Sequence, residues 1–350
     1  VTNKNAARSG NPRAPTISDV ARAAGVSTMT VSRVINGTGN VRAGTVAAVD
    51  AAIASLNYSP NPAARSLAGA RQMRVGLLYC NPSAYLSEFL IGVLDQANLS
   101  HVQLVVEKCT AGVDDSVVAA RLAGDGIDGI LLSPPLGDSA PLLKRLGETG
   151  IPFVVVAAGR SAPNVSVVSI DDYAAARAMT THLIDLGHRR IGFITGNADQ
   201  TSSSLRQEGY AAALAARGIA VDAALIAPGM FTFRSGLEAA ERLLQLPEPP
   251  TAIFASNDDM AAAAIAVAHR RGLAVPSDLT VCGFDDTTMA TRIWPELTTV
   301  RQPIGEMSRA ALELLVRKVK ARRANVELST DRQLLDFTLV RRQSDAAPRS

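Results

Sequence analysis

Thr16-Ile-Ser-Asp-Val-Ala-Arg-Ala-Ala-Gly-Val-Ser-Thr-Met-Thr-Val-Ser-Arg-Val-Ile35 carries two helix starts and one helix stop, and its reading decides how the N-terminal part of the chain folds. Thr16 followed by Asp19 is a capping box, in which a hydroxyl residue and a carboxylate satisfy the free backbone groups of a helix's first turn. Ile17, Val20, Ala21 and Ala24 then fall on one face at helical spacing. Gly25 stops that helix. Ser27 caps the next one, and Val26 before the cap with Val31 inside the helix makes a hydrophobic staple that fixes the entry angle. Val31, Val34 and Ile35 face inward. Thr28, Met29, Ser32 and Arg33 are thereby left pointing outward near the start of the second helix, where a major-groove reader needs them. The same spacing fits an ordinary helical hairpin, and the residues that follow favour a helix-turn-helix.

Val46, Val49, Ile53 and Leu56 recur at three- and four-residue spacing and predict a third helix that closes a small core under the pair. Tyr58-Ser-Pro-Asn-Pro-Ala-Ala-Arg-Ser-Leu-Ala68 comes next; Asn61 can cap, and Pro62 sits at the first helical position. A helix of about two turns is too short to be stable alone in water, so it is predicted to fold only when packed against something.

The motifs Thr16-Ile-x-Asp-Val-Ala21, Ala24-Gly-Val-Ser27, Thr30-Val-Ser-Arg-Val-Ile-Asn36, Asn57-Tyr-x-Pro-Asn-Pro62 and Ala64-Arg-Ser-Leu67 resemble, in this order, the lactose-repressor and galactose-repressor (LacI/GalR) family of bacterial transcription regulators, and the resemblance runs on to about residue 340. It implies a small all-α helix-turn-helix headpiece over 14–58 and a hinge helix over 59–70. These join an α/β body of two parallel-sheet lobes, type I periplasmic-binding-protein-like, over 71–342. The first lobe is expected at about 73–171 and 303–330 and the second at about 172–301 and 331–342, with chain crossings near 171, 302 and 330. Double-stranded operator DNA is the implied partner. Its implied contacts are Thr16, Ser27, Thr28, Met29, Thr30, Ser32, Arg33 and Asn36, then Tyr58, Asn61, Ala63, Ala64, Arg65 and Leu67. In the family the hinge helices of two subunits pair in the minor groove and lever a leucine, here Leu67, between base steps, which bends the duplex. Read without the resemblance, Leu67 is a linker residue packing on its own domain.

Charge agrees with this division. The 350 residues are 47% hydrophobic, enough for two or three packed domains, and the formal net charge is only +3. Residues 1–71 hold eight Lys and Arg (Lys4, Arg8, Arg13, Arg22, Arg33, Arg42, Arg65 and Arg71) against Asp19 and Asp50, a net of +6, so the remainder stands at −3. A basic head on a mildly acidic body is the electrostatic footprint of a DNA-binding module fused to one that does not bind DNA.

Cys80, Cys109 and Cys282 have no metal-ligand spacing and read as buried thiols in a reducing compartment. His101, His182, His188 and His269 share no such spacing either and read as surface or helix-end residues. There is no G-x-S-x-G elbow, G-x-G-x-x-G or P-loop, so the expectation is not an enzyme, with no catalytic residues, metal or cofactor. The polar N-terminal segment and the lack of a run of about 18 apolar residues predict a cytoplasmic protein that neither spans a membrane nor is exported.

From Arg74 onward short apolar runs alternate with helical stretches. Strand candidates start at Val75, Val102, Ile127, Phe153 and Val165, with helices near 85–99, 114–123 and 139–149; a second set starts at Ile191, Leu225, Ala252 and Leu279, with helices near 172–186, 204–217, 234–244 and 258–271. Such alternation predicts parallel sheets covered on both faces, with ligands beyond the carboxyl ends of the strands. On the resemblance, the helix from Ile304 to Lys320 returns to the first lobe, and Gln333 to Thr338 adds a last strand to the second.

Carried over from the family, the effector-binding candidates are Asn81, Tyr85, Arg206, Phe231, Asn257 and Asp285. Arg206 would grip ligand hydroxyl or carboxylate groups with its planar fork, Asn257 would offer a donor and an acceptor, and Asp285 would accept paired hydroxyls. Phe231 would stack on a ligand ring; Phe231 and Tyr85 also fit as plain core aromatics. Two departures bear on the ligand: Met230 stands where the family often has an acidic residue, and Asn98-Leu-Ser-His101 replaces a usual Gly-Tyr. The functional expectation is a repressor whose operator affinity is controlled by a small-molecule effector, a mono- or disaccharide acting as inducer. The alternatives are a purine or nucleoside, a co-repressor role, and, as a different class, the sugar-binding protein of a transport system. The polar stretch after Arg342 has no apolar heptads, which predicts a homodimer rather than a tetramer.

Overall fold

The computed structural model describes residues 15–36, 41–58, 72–109, 117, 124–160, 163–326 and 329–349. The hinge candidates Asn61, Ala63, Ala64, Arg65 and Leu67, and the helix expected near 114–123 apart from residue 117, lie outside the described residues. The chain forms two compact units that divide between Gln72 and Met73.

The first unit is a three-helix cluster of α1 (Ile17–Ala24), α2 (Thr28–Asn36) and α3 (Ala43–Ser55). The Thr16 backbone N–H and hydroxyl both donate to Asp19 Oδ2, at 2.9 and 2.7 Å, and this hydroxyl contact, ahead of the backbone one, holds the Asp19 carboxyl below its usual range. Gly25 takes φ 66°, a left-handed conformation that costs glycine nothing, and lets the Val26 N–H close back on the Ala21 carbonyl at 3.0 Å. Ser27 Oγ then accepts from the Thr30 N–H at 3.1 Å, so helix stop and helix start are adjacent. Val20, Ala21, Val31, Val49 and Ala52 are buried together, with Val34, Ile35, Ile53, Leu56 and Tyr58 packed around them.

In the second unit the first lobe holds β1 (Arg74–Tyr79), α4 (Ala84–Leu99), β2 (Gln103–Lys108), β3 (Gly129–Leu132), α5 (Ala140–Thr149), β4 (Phe153–Val156) and β5 (Ser166–Ser169). The second lobe follows with α6 (Asp172–Asp185), β6 (Ile191–Ile194), α7 (Thr201–Ala215), β7 (Ile226–Ala227), α8 (Phe233–Leu244), β8 (Ala252–Ala255), α9 (Asp258–Arg270), β9 (Thr280–Asp285), α10 (Thr288–Arg292) and β10 (Thr298–Arg301). α11 (Ile304–Arg323) returns to pack on α4; a side chain at Gly92 would run into Ser308 and the Gly305 backbone, so glycine permits the close approach. Two short strands, β11 (Arg332–Leu334) and β12 (Thr338–Val340), complete the sheets, whose orders are β11-β5-β4-β3-β1-β2 and β12-β10-β9-β8-β6-β7. All the pairings are parallel except β10 with β12. The central strands β3, β6 and β8 are buried along their whole length, as strands covered on both faces require.

Three expectations need correction. The third crossing falls between β11 and β12 rather than near 330. β11 pairs with β5, Gln333 against Val168, so residues 332–334 belong to the first lobe, and the single strand expected from Gln333 to Thr338 is two strands on two sheets. Without this segment β5 and β10 would each be an outer strand with unpaired backbone groups, and splitting the segment gives each of them a neighbour. The second lobe also extends past 342. Ser344 is fully buried, its Oγ accepting from the Thr298 N–H at 2.8 Å and donating to the Val281 carbonyl, and Asp345 is buried beside it. His182, in the last turn of α6, and His188, just after that helix, are helix-end residues as expected, and both engage the terminal segment. His182 Nε2 meets Asp345 Oδ2 at 2.8 Å, and buried His188 bridges Thr251 Oγ1 and the Ala346 carbonyl, both at 2.8 Å. Burial opposes ionisation of Asp345, yet hydrogen bonds from His182 and Thr298 and the Arg341 charge hold its carboxyl low, while burial pushes the His188 imidazole pKa down.

Ser344→Ala leaves the Thr298 N–H and the Val281 carbonyl buried without this partner. The expected destabilisation is about 1–3 kcal/mol, read from urea unfolding of the full chain; wild-type stability in the variant would show that this terminal segment does not anchor the lobe.

Candidate functional site

On the helical unit, Thr28, Met29 and Arg33 are exposed near the start and along the outer face of α2, with Met29 64% exposed. Ser27 and Thr16 are occupied as helix-start residues, and Thr30 Oγ1 lies 2.9 Å from Ser27 Oγ. Ser32 is half-buried, and Tyr58 packs against the helical core. Asn36 ends α2. An exposed helix face carrying Thr, Met and Arg beside a tight glycine turn has the form of a major-groove reader. Met29 would favour a thymine methyl over a hydrogen-bonding base edge.

In the second unit Asn81, Tyr85, Arg206, Phe231, Asn257 and Asp285 all line one cavity of about 230 Å³ between the lobes. Asn81 and Tyr85 come from the turn after β1 and the start of α4. Arg206 lies in α7, Phe231 precedes α8, Asn257 caps α9 after β8, and Asp285 ends β9. These positions are mostly strand ends, where the backbone of a parallel sheet leaves room for ligand.

The structure alters the roles of several of these residues. Arg206 is buried, and its Nε donates to Asp172 Oδ1 at 2.8 Å while its Nη1 donates to the Ser256 carbonyl. Its guanidinium carbon sits 3.6 Å from the centre of the Phe284 ring and 5.7 Å from that of Phe231. Asn257 is similarly committed. Its Oδ1 accepts from the Met260 N–H at 2.9 Å to cap α9, and its Nδ2 donates to the Phe231 carbonyl at 3.1 Å. Phe231 itself is held at φ 57°, an unfavourable conformation for an aromatic residue, and its ring occupies the space that a side chain at Gly196 would need. Gly196 and Asn257 thus set the position of the ring.

Asp285 accepts from Gln302 Nε2 at 2.7 Å and lies 3.9 Å from Arg206 Nη1. Burial pushes its carboxyl up to about 7, against the opposing pull of Arg206 and the Gln302 hydrogen bond. Burial likewise raises Asp172, and burial together with the Asp285 charge raises Asp258 well above its ordinary value. Asp172, Gln302 and Gly196 are site residues that sequence reading missed. Asp172 follows β5 and could have been found by the strand-end rule, whereas Gln302 follows β10, a Thr-rich strand that the apolar pattern did not mark.

The lobes also touch across the cleft. Glu88 Oε1 accepts from the Thr288 N–H at 2.7 Å, Asp138 Oδ1 accepts from Thr201 Oγ1 at 2.6 Å, and Arg160 makes a two-pronged pair with Glu208, both contacts at 2.7 Å. Among the described residues no group of His, Cys, Asp and Glu could hold a metal ion, and no helix is long and apolar enough to cross a membrane.

Residues 16–61 match the lacI family of bacterial regulatory proteins, and residues 180–344 match the periplasmic binding protein-like domain. The HTH-type transcriptional regulator CelR of Thermobifida fusca is 37% identical over 88% of this chain and 92% of its own length. Among solved structures, a transcriptional regulator CelR–cellobiose complex is similar with a TM-score of 0.72 at 34% identity, covering 94% of this chain and 99% of that one. The lac repressor dimer bound to operator and the anti-inducer ONPF has a TM-score of 0.76 at 27% identity, covering 96% of this chain and 100% of its own.

The cleft carboxylate makes stability depend on pH in a defined direction. Asp285 titrates near 3.8 when unfolded and at about 7 when folded, so between these values the folded state holds more protons. Its contribution is fully present below the lower value and is lost as pH rises through the upper one. Asp285→Asn should therefore lose less stability than wild type between about pH 5 and about pH 8, by urea unfolding without ligand. Equal slopes would place the folded carboxyl near its ordinary value.

Proposed function

The chain belongs to the lacI family of bacterial regulatory proteins and is a DNA-binding transcriptional repressor, and we propose that a mono- or disaccharide bound in the cleft between its two lobes acts as inducer. The observation that carries this reading is the cleft itself: the aromatic ring of Phe231 and the polar groups of Tyr85, Asp285 and Gln302 all line one cavity. The likeness to a regulator solved with cellobiose supports it. In this reading Asn81, Tyr85, Arg206, Phe231, Asn257 and Asp285 are the effector residues, with Arg206 and Asn257 acting largely by holding Asp172, Ser256 and Phe231 in place. A transport protein sharing the two-lobed body would have no use for the helix-turn-helix unit. The relatives are regulators rather than enzymes, and a DNA-binding regulator works where its operator lies, in the cytoplasm.

The working unit is a homodimer. Ile91, Leu94 and Leu99 of α4 are 60%, 49% and 74% exposed, and Val106 is exposed on β2, the outer strand of the first-lobe sheet. Apolar side chains beside an open sheet edge suit burial against a second copy. Two copies related by a two-fold axis present two α2 helices to a pseudo-palindromic operator, contacted through Thr16, Ser27, Thr28, Met29, Thr30, Ser32, Arg33, Asn36 and Tyr58. The segment 59–70 with Asn61, Ala63, Ala64, Arg65 and Leu67 serves as the hinge at a flexible central step. Effector binding changes the lobe arrangement and the spacing of the two hinges, and so releases DNA.

Calorimetry against a panel of sugars and nucleosides identifies the effector class, and tight nucleoside binding with no sugar response overturns the inducer assignment. Bound sugar is expected to weaken operator affinity by about 5- to 150-fold in mobility-shift titrations. Leu94→Glu is expected to shift the sedimenting mass from dimer to monomer and weaken operator binding; an unchanged dimer would locate the interface elsewhere.

A further inference from the structure

We propose that the floor of the cleft selects an uncharged, unphosphorylated polyhydroxy ring and recognises its hydroxyls through Tyr85 Oη and Gln302 Oε1; this deepens the sugar reading above and rests on it. Tyr85 Oη and Gln302 Oε1 are both buried and have no hydrogen-bond partner, although both residues line the cleft. Buried polar atoms are nearly always paired, so two orphans in one cleft indicate a ligand that supplies what they lack. Their chemistry specifies that ligand. Gln302 Nε2 is committed to Asp285 Oδ1 at 2.7 Å, which fixes the amide and leaves Oε1 as an acceptor. Tyr85 is kept protonated by burial and by the Asp285 charge, so its hydroxyl is available as a donor. The complement must accept from a phenol and donate to an amide oxygen, and a sugar hydroxyl does both.

Charge argues against anionic ligands. Among the described lining residues Arg206 is the one cation and Asp285 the one carboxylate. Arg206 is already bound to Asp172 and the Ser256 carbonyl and covered by the Phe284 ring. Arg206 and Asp172 already neutralise each other, and Asp285 adds negative charge to the extent that it ionises. A phosphate or carboxylate seated there would be stripped of water with no free cation to replace its hydration. The Phe231 ring, fixed over Gly196, supplies a flat apolar surface for the C–H face of a pyranose.

The test is calorimetry on the full chain with glucose, galactose, maltose and cellobiose, glucose 6-phosphate, gluconate and adenosine, repeated with Tyr85→Phe and Gln302→Met. At least one uncharged sugar is expected to bind, with its phosphorylated or carboxylate counterpart at least about tenfold weaker. Each variant is expected to weaken that sugar by about tenfold or more. Tyr85→Phe removes an atom that has no partner without ligand, so the ligand-free melting temperature should stay the same or rise while the sugar-induced increase shrinks. That pairing separates lost recognition from a failure to fold. Glucose 6-phosphate or gluconate binding as tightly as the free sugar, or wild-type sugar affinity in Tyr85→Phe, overturns this inference and leaves the sugar reading standing. Adenosine binding with no sugar response overturns the sugar reading and this inference together.

Discussion

The buried guanidinium of Arg206 is the constraint around which the two-lobed body is arranged. It joins Asp172, at the first chain crossing, to Ser256 at the end of β8 and lies within reach of Asp285 at the end of β9. Three segments distant in sequence therefore meet at one charge. A buried ion pair is a weak source of stability, because desolvating both partners offsets most of their attraction. Its value here is positional: removing either partner would leave an unpaired charge in a dry site, so these strand ends are held in one arrangement.

The cleft floor is consequently an arrangement of groups that are costly without ligand. Asp285 is pushed toward neutrality, Tyr85 and Gln302 carry unpaired buried atoms, and Phe231 occupies an unfavourable backbone conformation. Departures from the local rules that otherwise govern the chain are expected where function resides. Around the terminal segment, by contrast, His182, His188, Thr298 and Ser344 each find a buried partner there or in a neighbouring strand.

The helical unit owes its form to short-range signals. The Thr16–Asp19 contacts, the left-handed Gly25 and the Ser27 cap all act within a few residues, and each was legible because the backbone groups at a helix end must be satisfied locally. The alternation of buried strands and helices was equally legible, since a parallel sheet covered on both faces demands continuous apolar runs. The six effector candidates taken from the family pattern do meet at one cavity, although the free hydrogen-bonding capacity expected of Arg206 and Asn257 proved to be committed to the protein itself.

What the sequence alone determined, then, was the helix-turn-helix, the order of the elements up to β9 and most of the strand ends from which a cleft is built, because these follow from local capping and apolar periodicity. Tertiary structure alone decided that residues 332–334 and 338–340 divide between two sheets, that Ser344 and Asp345 are buried, and that Gln302 joins the site. Each of those outcomes depends on a partner in another element: an open sheet edge, a histidine or a carboxylate. A short polar segment carries no periodic signal of its own that names such a partner.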